Sequence, residues 1–104
     1  MEIAELRAQI DSLDAELVAL INRRAAIVIE IGEVKRRQQR PVVELTREHE
    51  VYARAAKLNH GPLDNDELKR IFERVIDVMR NIQSRRMGAG ESLPTPASPL
   101  ESHD

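Results

Sequence analysis

Apolar residues recur along the first third of the chain at alternating steps of three and four: Ile3, Leu6, Ile10, Leu13, Leu17 and Leu20, then Ile27, Ile31 and Val34. A heptad seam of that length predicts one long helix over about residues 2–38. Val18, Ile21 and Val28 widen the stripe, so the helix has more than one neighbour to meet. Gly32 is a local weakness of roughly 1 kcal/mol against Ala. Pro41 ends the helix and pushes Arg40 towards an extended conformation. A second helix, over about residues 44–58, carries Leu45, Val51, Tyr52, Ala55 and Leu58. Asn59-His60-Gly61-Pro62 then reads as a helix stop and a loop. Asp64 followed by Glu67 has the pattern of a capping box. It opens a third helix with Leu68, Ile71, Phe72, Val75, Ile76, Met79 and Ile82, fading near Met87. The stretch from Gly88, rich in Gly, Ser and Pro, predicts a disordered tail over 88–104 behind a helical unit of 1–87.

The first helix alone would be about 55 Å long at about 1.5 Å per residue. A compact domain of this size has a radius of gyration of only about 13 Å. One chain cannot cover both ends of such a helix, so a second chain is implied. The class is all-α, and the expected assembly is a homodimer. Composition agrees: aromatic residues are 2% and charged residues 33%, with the apolar content mostly Leu, Ile, Val and Ala, which suits helix packed on helix.

Charge and residue usage narrow the function. The formal net charge is -2 and the arginines are interleaved with Asp and Glu. That argues against a nucleic-acid partner, as does the lack of a continuous basic arm on the heptad helix. Cysteine is absent, which removes thiol chemistry, and His49, His60 and His103 show no metal-ligand spacing. No apolar run is long enough to span a membrane. The opening Met1-Glu2-Ile3 lacks a basic stretch followed by an apolar one, so a cytoplasmic location is the expectation.

A few residues break the helical pattern. Arg24 occupies the gap in the seam, where a guanidinium needs an anion or a carboxylate beside it. Position alone suits an anion site and a register-fixing Arg–Glu pair equally. Lys35, eleven residues on, returns to nearly the same face about 16 Å further along. Taken alone, it reads first as a solvated member of Lys35-Arg36-Arg37. Arg7 lies beside the seam about 42 Å from Lys35, too far to share a pocket with it in one chain. Gln83 follows Phe72, Ile76 and Met79 on an apolar stripe, where a buried amide wants a partner and a helix-end amide does not. Arg47-Glu48 is by itself an ordinary charged pair. Together these residues describe an apolar helical pocket lined by cations and one neutral amide. Gly-rich phosphate loops, catalytic triads and metal clusters are absent from the sequence.

The string Leu6-Arg7, Ile10-Asp11-Ser12-Leu13-Asp14, Leu17, Leu20-Ile21-Asn22-Arg23-Arg24, Ile31-Gly32-Glu33-Val34-Lys35, Arg40-Pro41-Val42 and Arg47-Glu48 resembles the all-helical class of chorismate mutases. Gly61-Pro62-Leu63, Ile71-Phe72 and Gln83 fit as well, and the resemblance covers about residues 3–84. It implies three-helix chains interlocked as a homodimer, the long helix shared between two active sites. It also implies the Claisen rearrangement of chorismate to prephenate, on the route to phenylalanine and tyrosine, with no cofactor and no metal. By the same resemblance, Arg24 and a partner chain's Arg7 would clamp the substrate carboxylates. Lys35 would pair with a carboxylate and, with Gln83, hydrogen-bond the ether oxygen. Glu48 would accept from the ring hydroxyl, and Arg47 would add positive charge. Glu44 stands where relatives often have Asp, and Met79 where they often have a small or hydroxylated residue. The tail would be a remnant linker or a docking segment for another shikimate-pathway enzyme. An isochorismate-pyruvate lyase of the same fold and a non-catalytic helical dimer are the rival readings.

Overall fold

The computed structural model describes residues 1–41 and 44–86, and these form three helices. They are α1 (Ile3–Gln38), α2 (Leu45–Leu58) and α3 (Asn65–Ser84). The expected end of the third helix at Met87 and the tail over 88–104 lie outside the described residues.

Each helix begins and ends for local reasons. At the start of α1, the Glu2 backbone N–H donates to the Glu5 carboxylate at 2.8 Å. At its end, Gln39 turns into the left-handed region (φ 59) and Arg40 N–H closes on the Lys35 carbonyl at 2.8 Å. That is the usual way a helix satisfies its last carbonyls. Glu44 is the residue that caps α2 rather than its first helical residue. The loop to α3 is organised by Asn59. Its side chain donates to the Leu63 carbonyl at 3.0 Å and to Asn65 Oδ1 at 2.8 Å, and accepts from Gly61 N–H at 3.0 Å. Gly61 sits at φ 74, a conformation open to glycine at little cost. The expected capping box is present: Asp64 Oδ1 accepts from Glu67 N–H at 2.8 Å, and Glu67 Oε1 accepts from Asp64 N–H at 3.0 Å.

Among the described residues α3 is the hub, packing on α1 on one side and α2 on the other, while α1 and α2 do not pack on each other. The core is thin. Ala55, Ile76 and Met79 are its buried apolar side chains, and Lys35 and Gln83 are buried with them. The seam of α1 is bare in the single chain, with Leu6, Ile10, Leu13, Leu17, Leu20 and Ile27 all exposed. The molecule is accordingly long, 54 × 29 × 23 Å, with a radius of gyration of 16.4 Å. No helix among the described residues is long and apolar enough to cross a membrane.

Candidate active site

Where α3 meets the second half of α1 and the start of α2, the three helices enclose a cavity of about 640 Å³. That is the size of a small-molecule site. Its floor is apolar, from Val28, Ile31, Val51, Ile76 and Met79. Its polar rim carries Arg24, Lys35, Arg40, Arg47 and Arg80 against Glu30, Glu44 and Glu48. Among the described residues that is an excess of two positive charges, in a chain whose net charge is -2. An apolar cavity with such an excess suits a small dianion with an apolar body.

The structure decides between several of the open readings. Arg24 is half-buried on the cavity wall, and among the described residues no carboxylate lies within ion-pair distance of it. The register-fixing Arg–Glu pair is therefore not formed among the described residues. Burial, and then the Arg47 guanidinium, pull the Arg24 pKa below its ordinary value. Two guanidiniums near enough to repel each other gain from an anion bound beside them.

Lys35 is buried, at 8% exposure, and is not a solvated member of its basic run. Its ammonium meets Glu44, the residue that caps α2, at 2.9 Å. Glu44 also accepts from Arg40 at 3.1 Å. The hydrogen bond and charge of Lys35, with a smaller part from Arg40, hold the Glu44 carboxyl below its ordinary pKa. Gln83 is buried at 6% exposure, and its Nε2 donates to the Val28 carbonyl of α1 at 2.7 Å. Glu48 and Met79 line the cavity as well. Arg47 reaches it from an exposed position, where it also pairs with Glu50 at 3.3 Å. Seven of the eight residues singled out in the sequence thus converge.

Arg7 is the eighth. It lies on the exposed first third of α1, about 25 Å along the axis from Arg24, and takes no part in this cavity. Sequence reasoning missed Arg80, whose guanidinium bonds Glu48 at 2.6 Å from the next helix. Its Nε is buried with no hydrogen-bond partner among the described residues. A signal existed: Ile76, Arg80 and Gln83 follow one another at steps of four and three, so Arg80 belongs to the inward stripe of α3. Among the described residues no group of acidic or histidine side chains is arranged to hold a metal ion.

The sequence profile of the family described as Chorismate mutase type II matches residues 6–84, the stretch that builds this cavity. The chain belongs to that family. The bifunctional chorismate mutase/prephenate dehydratase of Aquifex aeolicus is 30% identical over 88 residues, which are 81% of this chain and 24% of that protein. The chain thus spans about a quarter of the length of that bifunctional relative. The 4-amino-4-deoxychorismate mutase of Streptomyces pristinaespiralis is 32% identical over 94 residues, 88% of this chain and 72% of that protein. Among solved structures, the chorismate mutase of Helicobacter pylori in complex with prephenate superimposes with a TM-score of 0.77 at 28% identity. That match covers 86% of this chain and 97% of the other. A chorismate mutase from Thermus thermophilus gives 0.79 at 25% identity, covering 80% and 94%. Both are all-helical, in keeping with the three helices described here.

Proposed function

We propose that the chain is a chorismate mutase that converts chorismate to prephenate, acting in the cytoplasm as a dimer whose two cavities are each completed by Arg7 of the other copy. The observation that carries this reading is the family's own stretch folding into an apolar cavity with two excess positive charges, Arg24 on its wall without an ion-pair partner among the described residues, and Lys35 and Gln83 buried in it.

The reaction is unimolecular. The ether C–O bond breaks while a C–C bond forms, and no proton has to move. The protein's work is to hold the enol-pyruvyl arm over the ring and to stabilise negative charge growing on the ether oxygen. Arg24 and the second copy's Arg7 take the carboxylates by bidentate pairing. Lys35, steadied by Glu44, and Gln83, steadied by the Val28 carbonyl, donate to the ether oxygen. Glu48, oriented by Arg80, accepts from the ring hydroxyl. Arg47 keeps the cavity cationic, and Met79 shapes its apolar wall. A millionfold acceleration needs about 8 kcal/mol, a scale that fixed donors in a dry cavity can reach. No cofactor enters this scheme.

The Streptomyces relative favours a second reading, the same rearrangement on the 4-amino analogue. The Arg80–Glu48 pair weighs against it, because a carboxylate already neutralised by a guanidinium attracts an ammonium weakly. In the bifunctional relatives the mutase is joined to a prephenate dehydratase. An enzyme that consumes prephenate, joined or docked, is therefore the partner this reading expects.

The test is loss of chorismate absorbance with the product identified, run beside Arg24→Ala and beside the amino analogue and isochorismate. Rapid conversion to prephenate, lost in the variant, supports the reading. A folded protein that leaves chorismate unchanged refutes it, and pyruvate release from isochorismate would point to a lyase.

A further inference from the structure

Gly32 is buried in the last third of α1, still inside the helix, where a glycine weakens it and an alanine would strengthen it. The packing of α3 explains its presence. A Cβ built on Gly32 would stand 2.6 Å from Gln83 Cγ, 3.3 Å from Cδ and 3.4 Å from Nε2. The first distance is a collision. It falls on the middle of the side chain, whose far end is tied by the 2.7 Å bond from Nε2 to the Val28 carbonyl. The glutamine therefore cannot swing aside and keep that bond.

Gly32 and Val28 are one turn apart on α1. A helical side chain leans back over the turn that precedes it, so a side chain at 32 would cover the carbonyl at 28. Its absence leaves that carbonyl open to a second donor beside its own helical partner. An amide nitrogen has two protons, so the bond to Val28 engages one and leaves the other for an acceptor in the cavity.

We infer that Gly32 is a positioning residue for the reaction: by lacking a Cβ it admits Gln83 to the α1 backbone and sets the height and rotation of its amide in the cavity. The inference rests on the reading of Gln83 as a donor to the ether oxygen. A donor displaced by about 1 Å can cost about 10²-fold in rate. Gly32→Ala is thus expected to lower kcat by about 10²-fold while KM, set by the carboxylate clamps, changes little.

The test is a double-mutant cycle on the full chain with Gly32→Ala and Gln83→Ala. All three atoms nearest the added methyl are removed by Gln83→Ala. The double variant should therefore lose no more kcat than Gln83→Ala alone. The melting temperature should also change sign with background: Gly32→Ala lowers it in the parent chain and raises it in Gln83→Ala, where only the helix-propensity gain remains. Losses that multiply, a Gly32→Ala enzyme with parental kcat, or a melting temperature shifted the same way in both backgrounds would each overturn the inference. If the parent chain does not convert chorismate, the mutase reading and the catalytic part of this inference fall together. The melting-temperature comparison still decides the packing of Gly32 on Gln83.

Discussion

Leu13 and Leu17 sit in the middle of the bare seam of α1, 58% and 53% exposed in the single chain. Replacing both by Glu keeps two good helix formers and removes the apolar surface, so the helix itself should persist. Fully burying a leucine is worth about 1.5–3 kcal/mol, so the exposed half of each has roughly 1 kcal/mol left to gain from a partner. A two-fold dimer would lose four such side chains, about 4 kcal/mol, which is about a thousandfold in dissociation constant. The cost of placing carboxylates in the seam adds to that. Sedimentation equilibrium from submicromolar to tens of micromolar measures the constant directly, with far-ultraviolet circular dichroism as the control for helix content. Activity per chain should fall with the dimer fraction, because Arg7 cannot reach the cavity of its own chain. The reasoning is refuted if the variant dimerises as tightly as the parent, or if the parent is a fully active monomer.

The complementary experiment mixes two inactive variants, Arg7→Ala and Arg24→Ala. Random exchange should restore about a quarter of the parental activity, since each heterodimer holds one intact site; no recovery from a mixture shown to exchange would sink the shared-site reading. Gln83→Glu should cut kcat by about 10²–10³ at neutral pH, where the carboxylate cannot donate, and regain activity on acidification. The parent should show no such acid requirement, and parallel profiles for the two would remove Gln83 from the ether oxygen. The lowered pKa of Glu44 means that its contribution to stability is complete above its ordinary value of 4.5 and is lost as pH falls through the lower folded value. Thermal melts of Glu44→Gln should therefore lie below the parent at neutral pH and converge with it in acid; a constant gap would contradict the pairing with Lys35. Arg80→Met should destabilise the fold by about 1–2 kcal/mol by leaving Glu48 half-buried without its donor, and Glu48→Gln in the same background should return part of it. Chemical denaturation reads both, and additive effects would deny the coupling.

What the sequence by itself determined was local. The seam of α1 follows from steps of three and four. Its end follows from Pro41, and the start of α3 from a capping box whose two residues lie three apart. The sequence also motivates the proposed second chain, because a helix of this length outruns a core of this size, and the seam it would cover is bare in the single chain. The family resemblance also named seven of the residues that converge on the cavity, although the residues taken singly left Arg24 balanced between two roles and made Lys35 a solvated cation.

Only the tertiary structure decided those cases. Lys35 is buried, and its ammonium meets Glu44, nine residues on, at 2.9 Å. Arg80 matters because Glu48, thirty-two residues earlier, faces it across the α2–α3 contact. Gly32 read as a weak point in a helix and became the place where Gln83, on another helix, reaches the Val28 carbonyl. Caps and seams depend on neighbours within a turn or two, which spacing encodes. Which cation is buried, and which missing methyl is required, depends on how α3 is offset and rotated against α1 and α2. That offset is set by packing across the whole bundle and is carried by no short stretch of the chain.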